Sequence, residues 1–127
     1  MLTKAPIATM LRVTDAATAV EFYRDQLGLD YAGQDPMGQE MFTLGNGTAL
    51  VLMPEPDAQP SGRTELSFEV SDIADEISAL EQRGVRFADY DLPELKTVDH
   101  ICTIGSERAA WFEDPDGNVL CLHEVTG

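Results

Sequence analysis

Basic residues are scarce in this sequence. Lys and Arg together number 8 against 23 Asp and Glu, which leaves a formal net charge of −15. A surface that acidic repels phosphate backbones and anionic lipid headgroups, so nucleic acid and membrane surfaces are disfavoured as partners. Cysteine is scarce as well. Cys102 and Cys121 make no disulfide framework and fall in apparent strand segments, which fits a reducing cytoplasm. Long hydrophobic runs are missing, and a stretch such as Ala49–Met53 is far too short to cross a bilayer. The opening Met1-Leu2-Thr3-Lys4-Ala5-Pro6 has no apolar core of signal-peptide length and no cleavage-like site, so export is not expected. No Gly-rich phosphate loop, zinc-type cysteine pair or Ser-His-Asp arrangement is evident.

What is present is an ordinary globular composition, 43% hydrophobic and 24% charged. At 127 residues the natural expectation is one domain, residues 1–127, with a core that needs neither disulfides nor a structural metal. Inside it the sequence repeats. Met10-Leu11-Arg12-Val13-Thr14-Asp15 is echoed by Ser67-Phe68-Glu69-Val70-Ser71-Asp72. After each Asp, apolar residues recur at helical steps: Val20, Tyr23 and Leu27 in the first copy, Ile73, Ile77 and Leu80 in the second. Asp15 and Asp72 suit helix N-caps, and Gly28 and Gly84 suit the left-handed residue that ends a helix. Strand-like segments follow, roughly Glu40–Leu44 and Thr48–Met53, then Arg108–Glu113 and Asn118–Glu124. Asp114-Pro115-Asp116-Gly117 reads as a type I turn. The pattern is α+β: two βαβββ-like modules, residues 5–54 and 63–125, joined by a polar, Pro-rich linker at 55–62.

Alternation assigns the strand faces. Leu11 and Val13, then Leu66, Phe68 and Val70, then Leu120 and Leu122 are expected to face the helices. Ala8, Met10 and Arg12, then Glu65, Ser67 and Glu69, then Cys121 and His123 are expected opposite, with Leu50 and Leu52 read as joining them. A face that mixes apolar groups with a few polar ones is what a ligand pocket requires. Cys121 and His123 would make a thiolate–imidazolium pair only across a long i, i+2 separation, so a small buried thiol is the preferred reading. His100, beside Asp99, is read as a surface histidine, and Trp111 as bordering the cavity or a subunit contact. Arg12 needs an acidic partner, for which Glu65 or Glu69 is the expectation.

The segment Met10–Leu29, its repeat at Leu66–Gly84, and the closing run from Trp111 to Leu120 resemble the vicinal oxygen chelate superfamily of glyoxalases, bleomycin-resistance proteins and extradiol dioxygenases. The resemblance implies two βαβββ modules curling into a half-barrel around a cavity, helices outside, in a homodimer. Matching the motifs puts Ala8, Leu52, Glu65 and Cys121 where metal-dependent members carry their ligands. Ala and Leu ligate nothing, so no metal and no other cofactor is expected, and dioxygenase chemistry is disfavoured. Two functions remain. One is cytoplasmic sequestration of a small molecule in a metal-free cavity lined by Ala8, Met10, Arg12, Leu50, Leu52, Ser67, Trp111, Cys121 and His123. The alternative is a glyoxalase-like lyase or isomerase with a rearranged site and Glu65 as its base.

Overall fold

The computed structural model describes residues 1–125, and the last two positions of the 1–127 span lie outside them. The chain separates into two compact units, Met1–Pro60 and a second beginning at Ser61. In the first, β1 (Ala8–Val13) leads into α1 (Ala16–Glu21), and β2 (Asp30–Gln34), β3 (Glu40–Thr43) and β4 (Ala49–Pro54) follow. In the second, β5 (Thr64–Glu69) leads into α2 (Ile73–Gln82), and β6 (Cys102–Ile104), β7 (Glu107–Glu113) and β8 (Val119–Val125) follow. The sheet orders are β1-β4-β3-β2 and β5-β8-β7-β6, each with one parallel pair and two antiparallel ones. The two units therefore share one βαβββ topology, and the internal sequence echo marks its strand-to-helix joint. Among the described residues no helix is long and apolar enough to cross a membrane.

The helix starts are built as the repeat suggests. Asp15 accepts from the Ala17 N–H at 3.0 Å, and Asp72 from the Asp75 N–H at 3.1 Å, each satisfying a donor that the first turn leaves without a partner. Gly28 (φ 74°) and Gly84 (φ 91°) take the left-handed conformation just after the helices, where a Cβ would be strained. Beyond Glu21 the first helix widens into one π-type turn, Phe22–Gln26. That turn buries both Phe22 and Tyr23, edge to face at 5.1 Å, where the helical period gave only Tyr23 an inward position.

Each helix covers one face of its own sheet. Leu11, Val13, Tyr23 and Phe42 form the first core, and Ile73, Ile77, Phe112, Leu120 and Leu122 the second, all buried. Burying each such side chain contributes about 2 kcal/mol. β4 turns Leu50 and Leu52 to the face opposite the one expected of them. β1 and β4 run parallel with Thr9 opposite Leu50 and Leu11 opposite Leu52, so Leu50 and Leu52 sit on the helix-covered face. Their exposure of 2% and 0% marks them as core. Val51 between them is itself only 5% exposed, so β4 shows no polar alternation from which its parity can be read.

Two further differences concern the edges. β2 forms the outer strand of the first sheet across from β3, although no strand was assigned to Asp30–Gln34 from sequence. Directly after α2 the chain makes only a single bridge, Phe87 to Phe112, and β6 takes the remaining edge of β7. Both long hairpins close on the same device. In Asp35-Pro36-Met37-Gly38-Gln39 the Asp carboxylate accepts from the N–H groups of Met37 and Gln39. In Asp114-Pro115-Asp116-Gly117-Asn118 it accepts from those of Asp116 and Asn118, all four bonds at 2.9 Å.

Candidate functional site

The helix-free face of the second sheet carries the densest polar chemistry. Register sets Ser67, Cys121 and Trp111 in one row across β5, β8 and β7, and Glu69, His123 and Ala109 in the next. Partners in a row point to the same face, so two side chains from each of three strands share one face. Ser67 Oγ lies 2.6 Å from His123 Nδ1. The other ring nitrogen, Nε2, lies 3.6 Å from a Glu69 carboxylate oxygen. A hydroxyl, an imidazole and a carboxylate are thus joined in line. No Ser-His-acid arrangement was evident in the sequence because its members come from two strands paired across more than fifty residues of chain.

Cys121 takes no part as a thiolate. Its thiol donates to the Leu122 carbonyl at 3.2 Å, and burial pushes its pKa above the usual thiol value. The thiolate–imidazolium pairing considered for Cys121 and His123 is therefore replaced by a neutral thiol beside a Ser67–His123 hydrogen bond. Beyond it, the half-buried Trp111 meets Tyr90 edge to face, ring centres 5.7 Å apart, and gives the face an aromatic ledge. Glu65 stands where the β5 register shifts between Thr64 and Leu66, and its carboxylate accepts from the Ser61 hydroxyl in the preceding loop.

On the first sheet the helix-free face presents Ala8, Met10 and Arg12 of β1 beside Ala49, Val51 and Met53 of β4. Met10 is 47% exposed. Arg12 pairs with Glu55 at 3.3 Å, just past β4, where Glu65 or Glu69 had been expected. Both members are largely exposed, so the pair adds between 0 and about 1 kcal/mol to stability. The donor set does not fit a divalent metal. Ala8 and Leu52 are hydrocarbon, Leu52 faces the core, and the neighbouring open-face positions of β4 are Val51 and Met53. On the second sheet the positions offer the soft, buried thiol of Cys121 and the hard carboxylate of Glu65, a poorly matched pair for one metal.

His100 is not a free surface histidine. Its Nδ1 lies 2.9 Å from Asp89 and its Nε2 3.3 Å from Glu81 on α2, with the ring against Phe87. Asp99 and His100 both take positive φ, 52° and 73°, a strain these contacts hold in place. A groove of about 590 Å³ opens beside them on the helix side, lined in part by Ile77, Glu81, Val98, Thr103 and Arg108.

Comparisons with known proteins agree with this architecture. The family model for the Glyoxalase/Bleomycin resistance protein/Dioxygenase superfamily matches residues 6–122. The uncharacterized protein YetH of Bacillus subtilis (strain 168) is 30% identical over 119 residues, covering 88% of this chain and 91% of that one. Among solved structures, TnmS3, an antibiotic binding protein from Streptomyces sp. CB03234, is 26% identical with a TM-score of 0.75 over 98% of each chain. A glyoxalase/bleomycin resistance protein from the same strain is 28% identical with a TM-score of 0.69, covering 93% of this chain and 98% of that one. This chain belongs to the glyoxalase/bleomycin resistance protein/dioxygenase superfamily.

Proposed function

We propose that this protein binds a small organic molecule on the helix-free face of its second sheet, without a metal, and sequesters it in the manner of a bleomycin-resistance protein. The observation that carries the reading is the make-up of the second face. It sets an aromatic ledge, Trp111 with Tyr90, beside the polar groups of Ser67, His123 and Glu69. Apolar area supplies affinity and a few fixed polar groups supply orientation. The unfit donor set at Ala8, Leu52 and Cys121 supports a metal-free ligand, and the antibiotic-binding relative at 26% identity supports a guest of natural-product type. A net charge of −15 favours a guest that carries positive charge. On this reading two copies of the chain form a homodimer, as the family resemblance implies.

Trp111 is the chain's one tryptophan, so its fluorescence reports occupancy of this face. Titration with a panel of cationic, aromatic antibiotics is expected to give saturable quenching by at least one member. Ser67→Leu, which puts a branched apolar group in the polar line, is expected to weaken that binding roughly tenfold, the value of one lost hydrogen bond to a ligand. Linear, unsaturable quenching across the whole panel would remove the basis of the proposal. Light scattering tests the second half: a mass twice the 13.9 kDa of one chain is expected, and a monomer contradicts it.

A further inference from the structure

We infer that Ser67 is an activated nucleophile, able to accept an acyl group from an aryl ester. The inference goes beyond ligand binding and stands on geometry. With Ser67 Oγ at 2.6 Å from Nδ1 and Glu69 at 3.6 Å from Nε2, one tautomer of His123 satisfies both contacts. In it the Nδ1 lone pair accepts the seryl proton and the Nε2–H faces the carboxylate. That tautomer is the one a general base requires, because its free lone pair already points at the hydroxyl it must deprotonate. Glu69 then acts as a positioning residue, which fixes the tautomer and stabilises the imidazolium formed when the proton moves. Ser67 is exposed, so an ester carbonyl can reach it.

The rest of the face suggests the alcohol portion of the ester. Trp111 stands in the same cross-strand row as Ser67, two strands away, or about 10 Å at the usual strand spacing. Between them lies Cys121, which burial keeps as a neutral, unreactive thiol. An aryl group stacked on the Trp111–Tyr90 ledge places a short ester linkage toward Ser67. In the step itself, Ser67 Oγ forms a bond to the carbonyl carbon and its proton passes to His123 Nδ1. The bond from that carbon to the aryl oxygen then breaks, and the phenol leaves with the proton from Nδ1. Ser67 is left acylated, and water deprotonated by the same nitrogen hydrolyses it to the free acid. The balance is ester plus water giving acid plus phenol, with no redox change.

The test uses the full-length protein with p-nitrophenyl acetate, whose leaving group needs little assistance. Expected are a burst of nitrophenolate, the mass gain of one acetyl group on the intact protein, and a map of that group to Ser67. Ser67→Ala should lose both the burst and the acetylated peptide. His123→Gln should slow acetylation roughly a hundredfold, the lower end of what a general base supplies. Glu69→Gln should lower the rate, and Glu69→Asp, which keeps the carboxylate, should restore most of it; a merely structural role for Glu69 would not separate the two variants. Circular dichroism checks that each variant is folded. An acetyl group mapped to His123, Cys121 or a lysine overturns the inference, and so does His123→Gln acetylating at the parent rate. Failure here leaves the Trp111 titration untouched, so loss of the nucleophile and loss of ligand binding are read separately.

Discussion

Single residues in this protein are governed by what surrounds their polar atoms. Cys121 is the clearest case. Burial raises its pKa, so the folded state holds the thiol proton more tightly than the unfolded chain does. That contribution is fully present below the ordinary thiol value of 9.0 and is lost as the pH climbs through the higher folded value. Titrating stability from neutral into strongly alkaline solution should therefore show a loss that Cys121→Ala removes. Cys102, 4% exposed, and Cys121, 6% exposed, should also react with a thiol reagent at neutral pH only after unfolding. Prompt labelling of the native protein contradicts this. Glu40 is a second case, a carboxylate only 4% exposed that is held by the Tyr31 hydroxyl and by Gln34 Nε2 at 2.7 Å. The hydrogen bond to Glu40 in turn raises the Tyr31 pKa, so its phenol should ionise later than a free tyrosine in a spectrophotometric titration. Tyr31→Phe removes one of the two donors and should lower the midpoint of urea denaturation. No measurable loss would mean that water replaces the phenol.

At the scale of elements, the two Asp-Pro-x-Gly turns offer a matched comparison. Asp114 is 5% exposed, and its carboxylate also accepts from Asn118 Nδ2 at 2.9 Å. Asp35 is only half-buried. Asp114→Ala strips partners from buried N–H groups and should cost about 2 to 3 kcal/mol, whereas water can reach the same groups after Asp35→Ala, which should cost about 1. Equal losses would show that burial does not decide the matter. These elements also divide what the sequence makes legible from what it hides. Caps, helix faces and the second turn depend on residues within four positions of each other, so Asp15, Asp72, Gly84 and Asp114 declare them directly. Leu50 and Leu52 were misplaced because Val51 is buried too, and a strand apolar on both faces hides its parity. The Ser67–His123 contact was hidden for another reason. It is set by the register between β5 and β8, which includes a shift between Thr64 and Leu66 that neither strand's own sequence announces. His100 was read as a surface residue because its partners, Glu81 and Asp89, come from a helix and a loop well upstream.

The molecule as a whole is dominated by its charge. With 23 acidic residues and 8 Lys and Arg, pairing every cation would still leave the excess of −15 without a counter-charge. Arg12 with Glu55 and Arg24 with Asp25 are exposed ion pairs, and pairs of that kind add little to stability. Self-repulsion among the remaining carboxylates opposes the folded state, since unfolding lets them move apart. Salt weakens that repulsion: the screening length is about 8 Å near physiological ionic strength and shorter above it. Added sodium chloride should therefore stabilise this protein, raising Tm by roughly 3 to 5 °C for each 1 kcal/mol of repulsion removed. The same salt should weaken capture of a cationic guest, because the field that attracts it is the one being screened. Opposite signs for stability and affinity in one salt series distinguish a long-range acidic field from specific contacts. If Tm falls as salt rises, the few ion pairs outweigh the excess charge, and the acidic surface loses its role in selecting the ligand.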